Sequence, residues 1–171
     1  MAAGSKLALE SIRLLEEGRE LLQGLADGIY VAEPPIGLGT VGGHVRHCLD
    51  FYRCFLRGLG DGRVDYDARG RDGNVERSRE LAMAGLDEVI AGLERVSSEV
   101  EDRRLAAVRG SLALGDADAS TVGRELQFLA SHTVHHYALI GALLRVQGVD
   151  PGAEFGVAPS TLEHRRQLAT R

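Results

Sequence analysis

His132 and His136 stand four residues apart inside a largely apolar run, residues 126–144. On a helix that spacing stacks the two imidazoles on one face, with Cβ atoms about 5–6 Å apart. Two imidazoles so placed can share one transition-metal ion, as the paired histidines of helical zinc motifs do. A second pair, His44 and His47, lies upstream on another predicted helix, so five of the six histidines occupy two segments. Three imidazoles with one open position describe a catalytic or exchangeable site rather than a closed structural one. Nitrogen-only ligation suits zinc, nickel, iron or copper. Without a metal, neutral imidazoles buried on a leucine stripe each need a hydrogen bond.

The elements that must position these rings are legible as periodicity. Residues 5–25 predict a first helix, with Leu7, Ile12, Leu14, Leu15, Leu21, Leu22 and Leu25 as its apolar face. Gly28 stands as its stop, and Pro34-Pro35 make residues 30–39 an extended linker. Thr40 is placed to cap a second helix reaching Leu59. Arg46, Asp50, Arg53 and Arg57 give that helix a polar stripe, and most of its circumference is apolar. So wide an arc implies more than one neighbour, as in a bundle, and also suits a homodimer. Both His44 and His47 fall inside the arc, with His44 nearer its middle, so periodicity leans towards His44.

Residues 58–73 read as a charged, glycine-rich loop, and residues 74–100 as a third helix. Residues 105–114 hold two short apolar pieces around Arg109-Gly110-Ser111, a small hairpin or extended chain. Ser120 or Thr121 caps a fourth helix running to Gln147, with Gly148 and Pro151 beyond. Ser160 or Thr161 caps a short helix in the tail. The pattern is all-α: an antiparallel four-helix bundle with a C-terminal tail helix, one domain over residues 1–171.

Composition narrows the function. The chain has 171 residues and a net charge of −5, which offers no basic field for nucleic acid. No apolar run approaches the roughly 20 residues of a membrane span, and the start carries no signal-peptide pattern. Cys48 and Cys54 are six apart on one helix, about 9 Å along the axis, which exceeds disulfide reach. They read as reduced thiols in a cytoplasmic protein.

The segment Gly43-His44-Val45-Arg46-His47-Cys48-Leu49-Asp50, together with His132-x-x-x-His136, resembles the DinB/YfiT-like superfamily. The resemblance implies a four-helix bundle with one ligand from helix two and two from helix four around a divalent metal. In that family the helix-two ligand precedes a short apolar pair and a small or acidic residue, a pattern that His47-Cys48-Leu49-Asp50 matches. The implied metal triad is therefore His47, His132 and His136, holding zinc, nickel or iron. The resemblance further implies Lewis-acid chemistry on a small molecule, as a thiol S-transferase using a low-molecular-weight thiol or as a hydrolase. The superfamily's name does not imply DNA binding.

Within that reading, His135 and His44 are candidates for proton transfer or for supporting a ligand. Glu125, two turns before His132, is a candidate to orient an imidazole. In the loop, Arg69 and Arg71 can fork onto a substrate carboxylate or phosphate, or pair with the loop's own aspartates. Two other readings stand beside the enzyme: a non-catalytic metal-binding or dimeric stress-response bundle, and a metal-free bundle whose histidines line a small-molecule pocket. An open fourth position favours the enzyme. A cap by Glu125 favours the second reading, and histidines that fail to converge favour the third.

Overall fold

The computed structural model describes residues 6–96, 103–109 and 118–170. Four long helices carry it: α1 (Lys6–Gln23), α3 (Val41–Asp61), α5 (Arg79–Leu93) and α6 (Val122–Val146). Between them lie α2 (Asp27–Val31), α4 (Gly73–Arg77) and a sheet of β1 (Arg63–Asp65), β2 (Arg104–Arg109) and β3 (Asp118–Thr121); α7 (Pro159–Ala169) follows. The bundle is a ring in which α3 packs on α5 and α6, and α1 closes the other side against the same two helices.

Local chemistry accounts for the ends. Thr40 caps α3, its Oγ1 accepting the Gly43 N–H at 2.8 Å, and Thr121 does the same for α6 with Arg124. α3 does not stop at Leu59: it continues through Gly58 and Gly60 to Asp61, where Gly62 at φ 67° closes it. The tail helix starts earlier than its serine and threonine suggest, at Pro159, whose missing N–H is one a first turn leaves unpaired anyway.

Three stretches depart from the sequence expectation. Residues 27–31 form a helical turn instead of a stop and linker, which buries Tyr30 and lets its hydroxyl donate to the Val75 carbonyl at 2.8 Å. The expected third helix is broken at Ser78, whose extended backbone ends α4 while its Oγ caps α5. Val75's carbonyl accepts from Tyr30 and Ser78 there, so no continuous ladder runs through the break. The helix then stops at Leu93, and residues 97–100 lie outside the described residues. Finally, residues 104–109 form a strand that pairs in parallel with 63–65 and antiparallel with 118–121, while the apolar piece at 112–114 lies outside the described residues.

Directions follow from the contacts. α3 and α6 are antiparallel, as are α1 and α5, where Arg79 donates to the Leu22 carbonyl and Arg19 pairs with Asp87. α3 and α5 run the same way, with Leu49, Arg53 and Leu56 meeting Gly85, Glu88 and Gly92 in order. The crossover through β1 and α4 carries the chain back to the starting end and makes this possible. The wide apolar arc of α3 is covered within the chain, with Val41, Val45, Leu49, Tyr52 and Phe55 all buried, so it argues no longer for a dimer. No helix among the described residues is long and apolar enough to cross a membrane.

The sheet joins the end of α3 to the start of α6: β1 follows Gly62, and β3 ends on Thr121, the cap of α6. Its seat needs Gly58, because a Cβ there meets the Arg63 carbonyl oxygen, a backbone atom that cannot step aside. Gly60, in the same helix, faces open space. Gly58→Ala is therefore expected to destabilise the fold by about 1–3 kcal/mol through overpacking. Gly60→Ala is expected to stabilise it by roughly 0.5–1 kcal/mol through helix propensity. Urea unfolding of the two variants beside the wild type checks both signs.

Candidate metal centre

Antiparallel packing of α3 on α6 sets His47 opposite His132 and His44 opposite His136. His47 Nε2 lies 3.3 Å from His132 Nε2, and His136 Nε2 lies 3.1 Å from the same atom. All three rings are half-buried, and their candidate ligand atoms lie within 4.8 Å of one another, a group that could hold a metal ion. Three nitrogens about 2.0–2.1 Å from one tetrahedral ion stand roughly 3.4 Å apart, so the spacing fits. No cysteine, aspartate or glutamate joins the group among the described residues, so a bound ion would keep an open position.

Hydrogen bonding settles which nitrogen His136 presents. His44 Nε2 lies 2.8 Å from the Leu38 carbonyl oxygen, which can only accept, so that nitrogen carries a proton. In a neutral ring His44 Nδ1 is then an acceptor, and the Nδ1 of His136, 2.8 Å away, must donate to it. His136 Nε2 is left as a bare lone pair directed at the other two Nε2 atoms. One proton on His132 could be shared with one neighbour but not with both. A cation among the three satisfies all of them.

The electrostatics act in the same direction. Burial, with the charges of Arg69, Arg46, His44 and Arg71 behind it, holds His47 down at about 4. His132 is likewise held at about 4, by burial first and then by His47, His135 and Arg69. His136 is held at about 3, by burial and then by the other histidines, and burial also lowers His44. All four rings are thus neutral near pH 7, the state in which imidazole binds a metal.

Both histidines of α3 therefore have places. His47 enters the triad, as the family pattern implied, and His44, the residue periodicity preferred, sits behind His136. His135 is exposed, its ring 5.2 Å from that of His136. Glu125 does not orient an imidazole: it accepts from the Tyr66 hydroxyl at 2.8 Å and from Ser120 Oγ at 2.6 Å. Burial and the Glu125 charge raise the Tyr66 pKa, so the hydroxyl stays a donor. Arg69 reaches the site, with its Cζ 5.5 Å from the Phe51 ring centre. Arg71 is exposed at φ 50° and acts on His47 only through its charge. Cys48 is buried, and burial raises its thiol to about 12, which suits a small apolar filler and not a nucleophile. In the tail, Phe155 stacks on Tyr137, ring centres 4.9 Å apart.

Sequence reasoning missed the wall beside the triad. Phe51 lies 4.5 Å from His132 and 4.8 Å from His47, ring centre to ring centre, and Phe128 stacks on His132 at 5.5 Å. A signal was available, because Phe51 follows His47 by four and Phe128 precedes His132 by four. The Leu38 carbonyl and Tyr66 had none, since both reach the site from outside the two helices.

The sequence profile of the DinB superfamily matches residues 13–140, and the chain belongs to that superfamily. Its fold is similar to the crystal structure of a DinB-like protein, YjoA, from Bacillus subtilis. The TM-score is 0.63 at 17% identity, over 88% of this chain and 95% of that one. In sequence it is also similar to FK506-binding protein 5 of Rhizopus delemar, 33% identical over 104 residues, 59% of this chain. The chain spans only 27% of that relative's length.

If His44 only holds His136, the two respond differently to deletion. His136→Ala is expected to abolish metal retention. His44→Ala is expected to keep the stoichiometry while weakening affinity roughly 10–100-fold, the usual effect of losing a ligand's supporting hydrogen bond. Competition titration of zinc against a chromophoric chelator reads both; equal losses would make His44 a ligand in its own right.

Proposed function

We propose that this protein binds one divalent transition metal through His47, His132 and His136 and is a metal-dependent enzyme acting on a small molecule, of thiol S-transferase or hydrolase type. The observation that carries the reading is the convergence of three neutral Nε2 atoms with no fourth protein ligand among the described residues. Glu125 cannot serve as a cap while Tyr66 and Ser120 hold it, which favours an exchangeable position over a closed one. When bound, the metal supplies Lewis acidity, lowering the pKa of a thiol or water so that a nucleophile exists at neutral pH.

The chain's own residues do the remaining work. His44 fixes the tautomer and orientation of His136 through the Leu38 carbonyl. Phe51 and Phe128 form an apolar wall that keeps water from one side of the site, strengthening charge interactions within it. We assign His135, exposed beside His136, to carry a proton between solvent and the reacting group. The buried free thiols Cys48 and Cys54 support a reducing compartment such as the cytoplasm.

Elemental analysis by mass spectrometry, on protein purified without a histidine tag, is the first test. Near-stoichiometric zinc, nickel or iron in the wild type, lost in His136→Ala, is expected. Turnover of a thiol with an electrophile, or of a hydrolysable ester, should then disappear on chelation and return with the metal. Wild-type protein that is metal-free and takes up neither zinc nor nickel overturns the reading.

A further inference from the structure

Several arginines of the bundle are matched to a carboxylate. Arg46 pairs with Asp50 and Glu76, Arg53 with Glu88, Arg79 with Asp27 and Arg19 with Asp87. Arg69 makes no such pair among the described residues, although it lies beside the three imidazoles. It sits on the loop between β1 and α4, where Asp65 accepts the backbone N–H groups of Asp67 and Ala68 and Asp72 accepts that of Asn74. Those two aspartates hold the loop's backbone, and neither pairs with Arg69 among the described residues. Arg69 donates one hydrogen bond, to the Tyr66 carbonyl at 3.1 Å, while its buried Nε has no partner. An arginine N–H buried without an acceptor is costly, and the fork of a guanidinium suits a carboxylate.

Its place is defined by the aromatic wall. The guanidinium lies over Phe51, and Phe51 is the ring in contact with both His47 and His132. The nearby buried carboxylates, Asp50 and Glu125, are already committed to Arg46 and to Tyr66 with Ser120. Neutral imidazoles add no negative charge, and a divalent ion would add two positive ones. With those two carboxylates engaged, the fork of Arg69 is available to an anion that arrives with the ligand.

We propose that Arg69 is the anchor for a carboxylate on the small molecule this site takes, so that the substrate is an acidic compound held at two points, its carboxylate over Phe51 and its reacting atom among the three histidines. The second point rests on the metal reading above; the first rests on Arg69 alone.

Cobalt-loaded protein separates the two. Its ligand-field bands report the metal, and a thiolate-to-cobalt charge-transfer band reports binding of a thiol. The probes are 3-mercaptopropionate and its neutral counterpart 3-mercaptopropan-1-ol. In the wild type the acid is expected to bind about ten- to a hundredfold more tightly, the range of a charge-assisted pair. Arg69→Gln is expected to abolish this preference without changing the ligand-field bands or the affinity for the alcohol. Arg69→Lys should keep part of it, and Arg71→Gln nearly all. Unchanged ligand-field bands also show that Arg69→Gln has folded. A preference that is missing in the wild type, or that survives Arg69→Gln, overturns the anchor and leaves the metal reading intact. Absence of ligand-field bands in the wild type overturns the metal reading and, with it, the two-point placement of the substrate.

Discussion

The contact between α3 and α6 has to accommodate four imidazoles in an interface built largely from apolar side chains, with one buried hydrogen bond between Thr133 and Tyr52. Each ring is half-buried and brings two nitrogens whose hydrogen bonding the surrounding protein must largely supply. The solution is directional. One carbonyl, that of Leu38, fixes the proton on His44, His44 fixes the proton on His136, and the unprotonated edges are driven together in the interior. Stability and chemistry are therefore one problem here: the arrangement that satisfies the outer nitrogens leaves the inner ones as a set of acceptors suited to a cation.

That solution requires α3 and α6 to meet in a single register. A slip of one helical turn would separate His47 from His132 and undo the pairing of His44 with His136. The small sheet supplies the restraint, because β1 begins where α3 ends and β3 ends where α6 begins. β2 between them ties the two helix ends through backbone hydrogen bonds, which are insensitive to side-chain packing. Gly58 lets β1 lie directly on the helix. A three-stranded sheet at one end of a helical bundle is thus the clamp that sets the distance between histidines.

Charge is allocated with similar economy. Four carboxylates of the surrounding elements are engaged in holding the structure. Asp50 neutralises Arg46, Glu125 holds Tyr66 and Ser120, and Asp65 and Asp72 shape the loop. Burial is the first reason the rings stay unprotonated, and the charges of Arg46, Arg69 and Arg71 on His47, and of Arg69 on His132, act in the same sense, so packing and electrostatics favour the same protonation state.

The sequence by itself determined the two long helices that carry the histidines, their caps and their histidine-bearing faces, because periodicity and capping are local and act within one or two turns. Thr40, Thr121 and the four-residue step from His132 to His136 needed nothing else. What only the tertiary structure decided was what stands opposite each face. A helical wheel places His44 and His47 in one apolar arc, and nothing local says which ring meets His132 and which meets the back of His136. The break at Ser78 depends on Tyr30 taking a carbonyl 45 residues away, and β1 is a three-residue strand whose partner lies beyond α5. Glu125 shares a stripe with His132 yet serves Tyr66, a residue from a different part of the chain. These are contacts between distant segments, and their energies arise only when the segments are brought together.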